Sequence, residues 1–152
     1  MPSFDNTSLD LASDESLKRI VVVDDYSAWR DYACVALHQE PRFHVAATAS
    51  DGLEAVQRAQ ELQPHLVILD LGLPNLNGIE AARRILRLVP ETKVLFLSEQ
   101  SSPDIVQEAL NTGANGYVWK PRAEGDLLTA AKAALTGQMF VSKSLGNCLP
   151  LI

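Results

Sequence analysis

Cysteine is nearly absent: Cys34 and Cys148 are the two in 152 residues. Two are too few for a disulfide scaffold, and neither stands in a metal-ligand spacing. A reducing, cytoplasmic setting is expected. Basic residues are in the minority, 13 Lys and Arg against 19 Asp and Glu, for a formal net charge of −6. No basic stripe invites nucleic acid, so direct nucleic-acid binding by this chain is not expected. Long apolar runs are missing as well. The longest, such as Ile20–Val23 and Leu66–Leu69, are strand-sized and cannot cross a bilayer. Met1 to Ser16 has no positive leader followed by an apolar run, so no signal peptide is expected. What is present is 47% hydrophobic residue content in one domain's length, enough for a single core.

The chain alternates strand and helix signals. Residues 1–17, rich in Ser, Asp and Asn, read as a flexible tail. Arg19–Asp24, Phe43–Thr48, His65–Asp70, Lys93–Ser98 and Gly116–Trp119 are β-branched or continuous apolar runs, predicted as strands. Between them, apolar residues recur at helical spacing: Trp29, Tyr32, Ala33, Ala36 and Leu37; then Leu53, Val56, Ala59 and Leu62; then Ile79, Ala82, Leu86 and Val89. Ile105, Val106, Ala109 and Leu110 mark a fourth helix, and Leu127, Ala131 and Ala134 a fifth, stopped by Gly137. Strands without polar alternation must be covered on both faces. The pattern therefore predicts an α/β fold, a flavodoxin-like (βα)5 doubly wound, five-stranded parallel sheet of order 2-1-3-4-5. Residues 18–137 form the domain, and 138–152 read as a C-terminal extension or truncated linker.

In such sheets ligands sit beyond the carboxyl ends of the strands, at the switch point between strands 1 and 3. Strand 1 runs into Asp24 and Asp25, strand 3 into Asp70, strand 4 ends in Ser98, and strand 5 runs into Lys120. Clustered carboxylates raise each other's pKa unless a cation joins them, and Mg²⁺, with oxygen ligands and retained water, suits the set. Lys120 adds a compact positive charge for an anionic oxygen. Acid cluster, Mg²⁺, hydroxyl and lysine make a phosphoryl-transfer site in which a carboxylate can be the nucleophile. The plainer reading, that Asp24 or Asp25 caps the following helix, accounts for one of them and not for Asp70.

Several segments carry a family likeness: Val-Val-Val-Asp24-Asp25, Leu-Val-Ile-Leu-Asp70-Leu-Gly-Leu-Pro74, Asn77-Gly78, Leu-Phe-Leu-Ser98 and Gly-Tyr117-Val-Trp-Lys120-Pro121. As a set they resemble the receiver domain of bacterial two-component response regulators. The Asp-Asp-x₄-Arg start and the Gly137-x₃-Val141-Ser-x₂-Leu145 ending resemble the LuxR/NarL-type subfamily. The chain stops at Ile152, so the helix-turn-helix of that subfamily is not expected in it. The resemblance implies that Asp70 takes a phosphoryl group from a sensor histidine kinase or phosphotransfer protein. Asp25, Asp70 and the Gly72 carbonyl would bind Mg²⁺, with Asp24 acting largely through water. Ser98 and Lys120 would hold the phosphoryl oxygens, and Tyr117 would turn inward as Ser98 moves. The Lys120–Pro121 bond would be cis. The switched face would comprise the fourth helix, fifth strand and fifth helix, controlling a protein interaction or an output domain in transcription regulation. A homodimer could form through that face or through the first and fifth helices. The chain would catalyse only its own phosphorylation and dephosphorylation.

One residue departs from the family pattern. Glu99 follows the strand-4 hydroxyl where Ala or Gly is usual, and its carboxylate would act as an access gate. Two alternatives follow: a pseudo-receiver used as a phosphorylation-independent binding or dimerisation module, or a turnover phosphatase. The second lacks the Asp-x-Asp of haloacid-dehalogenase-like phosphatases, because Tyr26 follows Asp25.

Overall fold

The computed structural model describes residues 17–143 and 145. The expected N-terminal tail, apart from Leu17, lies outside the described residues, as do Cys148 and the rest of 146–152. The elements are β1 (Lys18–Val23), α1 (Ser27–Leu37), β2 (Phe43–Ala49), α2 (Gly52–Leu62), β3 (Leu66–Leu69), α3 (Gly78–Leu88) and β4 (Lys93–Ser98). α4 (Pro103–Leu110), β5 (Gly116–Trp119), a 3-10 turn (Lys120–Arg122), α5 (Ala123–Leu135) and β6 (Phe140–Val141) follow. All strand pairs are parallel, in the order β2-β1-β3-β4-β5-β6. The expected 2-1-3-4-5 order stands, and the sheet has six strands rather than five, because β6 adds to the outer edge of β5.

Alternation along the strands explains the layers. Successive side chains point to opposite faces. Val21, Val23, Val67 and Leu69 face one core, shared with Ala55, Ala59, Ala82 and Ile85 of α2 and α3 and with Val106 of α4. Ile20, Val22, Ile68 and Leu97 face the other, shared with Ala33 and Leu37 of α1 and Leu127, Ala131 and Ala134 of α5. Both faces are dry, which is why these strands read as unbroken apolar runs. Asp51 and Asn77 start α2 and α3 by accepting the Glu54 and Glu80 amides. Leu53, expected on the buried face of α2, is 51% exposed instead. It lies in the first turn of that helix, and the inward positions go to Ala55, Val56 and Ala59.

His65 closes the opposite end of the sheet. Its Nδ1 accepts the Arg19 amide at 2.9 Å, and its own amide donates to the Arg19 carbonyl at 2.9 Å. Burial holds the imidazole below the usual histidine range, helped by Arg19 and Lys18. The unfolded chain therefore takes up the proton first, and stability falls as pH drops below about 6.5. His65→Asn, whose amide oxygen can accept the same N–H, should flatten that part of the pH profile. Urea unfolding at a series of pH values checks this, and an unchanged slope in the variant would contradict it.

Candidate functional site

The carboxyl ends of β1, β3, β4 and β5 bring the expected residues together. Lys120 is the centre, 5% exposed. Its Nζ lies 2.8 Å from Asp24 Oδ2 and 3.2 Å from Asp70 Oδ2. The Trp29 ring lies on another side of the ammonium, with its centroid 4.8 Å away. Asp24 also accepts the Tyr26 amide on Oδ1 at 3.0 Å, and its backbone carbonyl takes the Arg30 guanidinium at 2.7 Å. Asp70 Oδ1 accepts the Leu71 amide at 2.7 Å. Gly78 lets α3 approach this corner: a Cβ there would overlap the Asp70 carbonyl oxygen.

Burial pushes the Asp24 carboxyl above the ordinary aspartate value. The hydrogen bonds from Lys120 and Tyr26 oppose that push, and the Asp70 charge adds to it. On Lys120 burial is the largest single influence and favours the neutral amine. The hydrogen bonds and charges of Asp24 and Asp70 together outweigh it and hold the ammonium above its usual range.

Above the lysine opens a cavity of about 160 Å³, walled by Asp25, Asp70, Gly72, Ser98 and Lys120. Glu99 also lines it, as the sequence suggested. Tyr26 and Gln100 complete the lining; the sequence alone gives Tyr26 no part in the site. Asp24 lies beneath, buried at 3% exposure. Ser98 Oγ accepts the Gln100 amide at 3.2 Å. Tyr117 is already fully buried, its hydroxyl donating to the Gln100 carbonyl at 2.7 Å. Trp29 reads from its helical spacing as packing, and Arg30 only as part of the Asp-Asp-x₄-Arg likeness; their site contacts depend on residues that the fold delivers. One expectation is overturned: no described peptide bond is cis, so Lys120–Pro121 is trans. Pro121 sits in the first turn of the 3-10 segment, where its fixed φ and missing N–H fit, and the chain runs straight on into α5.

Asp24, Asp25 and Asp70 each offer a carboxylate oxygen, all within 4.8 Å of one another. Three carboxylates against one ammonium leave two negative charges, which a hard divalent cation would balance. The donor set therefore fits Mg²⁺.

A doubly wound parallel sheet with an acidic pocket at its β1/β3 switch point defines a receiver-type α/β protein. The family model for the response regulator receiver domain matches residues 20–132, and the chain belongs to that family. Among curated relatives, transcriptional regulatory protein DegU of Brevibacillus brevis is 33% identical over 127 residues, covering 84% of this chain and 54% of that protein. The response regulator domain of Thermotoga maritima CheB superposes with a TM-score of 0.74 at 33% identity, covering 79% of this chain and 97% of that one. A LuxR-family two-component response regulator from Aurantimonas sp. SI85-9A1 gives 0.82 at 31% identity, covering 87% and 94%. The chain spans little more than half the length of the curated relatives it matches. Among the described residues no helix is long and apolar enough to cross a membrane.

Proposed function

We propose that this receiver domain accepts a phosphoryl group on Asp70 and uses it to switch a protein interaction or an output domain in transcription regulation. The observation that carries the reading is the placement of Asp70. Its carboxylate stands at the wall of a cavity shared with Asp25, Gly72 and Ser98, while Lys120 grips its Oδ2 from below. In the transfer, an Asp70 oxygen attacks the phosphorus of a phosphohistidine on a sensor kinase or phosphotransfer protein. The P–N bond breaks, its electron pair leaves with the imidazole nitrogen, and solvent supplies that nitrogen's proton. The Lys120 ammonium shifts to a phosphoryl oxygen, and the Ser98 hydroxyl donates to another. Asp25, Asp70 and the Gly72 carbonyl would hold Mg²⁺, with Asp24 reaching it through water. The bound ion supplies charge neutralisation for the transferring oxygens. The chain catalyses no turnover beyond its own phosphorylation and dephosphorylation, and its place is the cytoplasm with the kinase.

Mg²⁺ titration followed by tryptophan fluorescence tests the metal half of this reading. Trp29 rests on the lysine that answers to Asp24 and Asp70. The wild type should show a saturable change, and Asp25→Asn should weaken it about tenfold or more. Equal affinities in the two proteins would contradict the assignment. The position of Glu99 on the cavity favours one second reading, a pseudo-receiver whose pocket the carboxylate keeps closed to phosphoryl donors.

A further inference from the structure

The C-terminal segment of the described chain is built into the sheet, and its anchor leads back to the phosphoryl site. β6 runs parallel to β5, pairing Phe140 with Gly116 and Val141 with Tyr117. The Ser142 amide donates to the Tyr117 carbonyl at 3.0 Å, and Leu145 is 4% exposed in the main core. Gly116 is shaped for this strand, since a Cβ there would lie 2.5 Å from the Phe140 carbonyl oxygen. The segment thus covers the β5 edge rather than merely passing it.

Ser142 is the anchor. Fully buried, its hydroxyl donates to Asp126 of α5 at 2.8 Å and accepts the Trp119 backbone amide at 3.0 Å. The Trp119 indole reaches the other way: Nε1 donates to the Glu99 carbonyl at 3.1 Å. Beside it, Tyr117 holds the Gln100 carbonyl. Two aromatic side chains of β5 therefore clamp consecutive carbonyls of the β4–α4 loop, and the backbone of one of them rests on the side chain that pins β6.

We propose that Trp119 and Ser142 form a relay that couples the phosphoryl site to β6, a deepening of the function proposed above that depends on it. Ser98, drawn to a phosphoryl oxygen, pulls Glu99 and Gln100 with it. The Glu99 carbonyl leaves the indole, the end of β5 loses that restraint, and the Trp119–Ser142 bond that secures β6 loosens. Trp119 and Ser142 are positioning residues, acting through the loop and not on the phosphoryl group. Coupling of this kind is reciprocal, so weakening the β6 end must also change ligand affinity at the site.

The test uses the whole chain with Mg²⁺ and beryllofluoride as the phosphoryl mimic, read by fluorescence and by amide exchange. Trp119→Phe keeps the ring and the backbone amide but loses the indole N–H. Ser142→Ala loses the anchor, and Ser142→Thr keeps its hydroxyl. The resting bonds oppose the ligated state, so Trp119→Phe and Ser142→Ala should bind beryllofluoride roughly 2- to 10-fold more tightly, the worth of one hydrogen bond. Ser142→Thr should bind as the wild type does. In the wild type, the Phe140 and Ser142 amides should exchange faster once the mimic is bound, and in Trp119→Phe they should no longer respond. If the wild type binds the mimic while both variants match its affinity, or β6 exchange ignores the ligand, the relay is overturned and the acceptor reading survives. A folded wild type that ignores beryllofluoride overturns both.

Discussion

Lys120→Met should lower the unfolding free energy by about 3 kcal/mol near neutral pH, the lower end of what breaking a buried ion pair costs. The ammonium is 4% exposed as a side chain and serves two carboxylates, at 2.8 and 3.2 Å. Methionine fills much of the same space and leaves Asp24 and Asp70 facing each other without compensation. Two conditions should restore part of the loss. Mg²⁺ should do so by returning positive charge to the cluster. Acid should do so through Asp24, whose carboxyl burial already raises above its ordinary value and which Lys120 helps to hold down. With Lys120 gone it rises further. A group with a raised folded-state pKa contributes stability at low pH and loses it as pH climbs, so the deficit should shrink as pH falls from neutral toward the ordinary aspartate value of 3.8. Urea unfolding with and without Mg²⁺ checks both. A deficit that neither Mg²⁺ nor acid relieves would mean that packing, not charge, is what Lys120 provides.

Gly78→Ala should be as damaging, at about 3 kcal/mol, the upper end of overpacking costs. The added Cβ would overlap the Asp70 carbonyl oxygen and sit 2.8 Å from the Leu71 Cα, all backbone that cannot swing aside. Relief requires α3 to move away from the end of β3, which drags Asp70 with it, so Mg²⁺ affinity should drop along with stability. Gly72→Ala is the contrast. Nothing lies within 4 Å of a Cβ at Gly72, and under the proposed function it would contribute its carbonyl and not its smallness, so this change should stay within about 0.5 kcal/mol. Thermal melts of the two variants decide it, and equal effects would contradict the close-approach account.

The site was legible in the sequence because each of its main residues ends or follows a strand. Ile20–Val23 and Leu66–Leu69 announce themselves as apolar runs, and the carboxylates that break those runs fall at the sheet's carboxyl edge. What escaped depends on contacts between distant segments. Trp29 sits at helical spacing and reads as core; only the fold sets Lys120 against its ring. β6 has two residues, too few for any periodicity, and is held by a glycine and a serine rather than by its own pattern. The Val141-Ser-x₂-Leu145 ending was visible as a family likeness, yet its structural work is to fasten the β5 edge. Pro121 was expected in a cis bond on family likeness alone; the 3-10 turn shows how a trans bond carries the chain into α5.

The most direct test of the account is the intact mass of the folded protein after incubation with acetyl phosphate, with and without Mg²⁺, beside Asp70→Asn. The account predicts a gain of one phosphoryl group in the wild type that requires both Mg²⁺ and Asp70. No gain would contradict it and favour the pseudo-receiver, and recovery of the gain in Glu99→Ala would then identify Glu99 as what keeps the pocket closed.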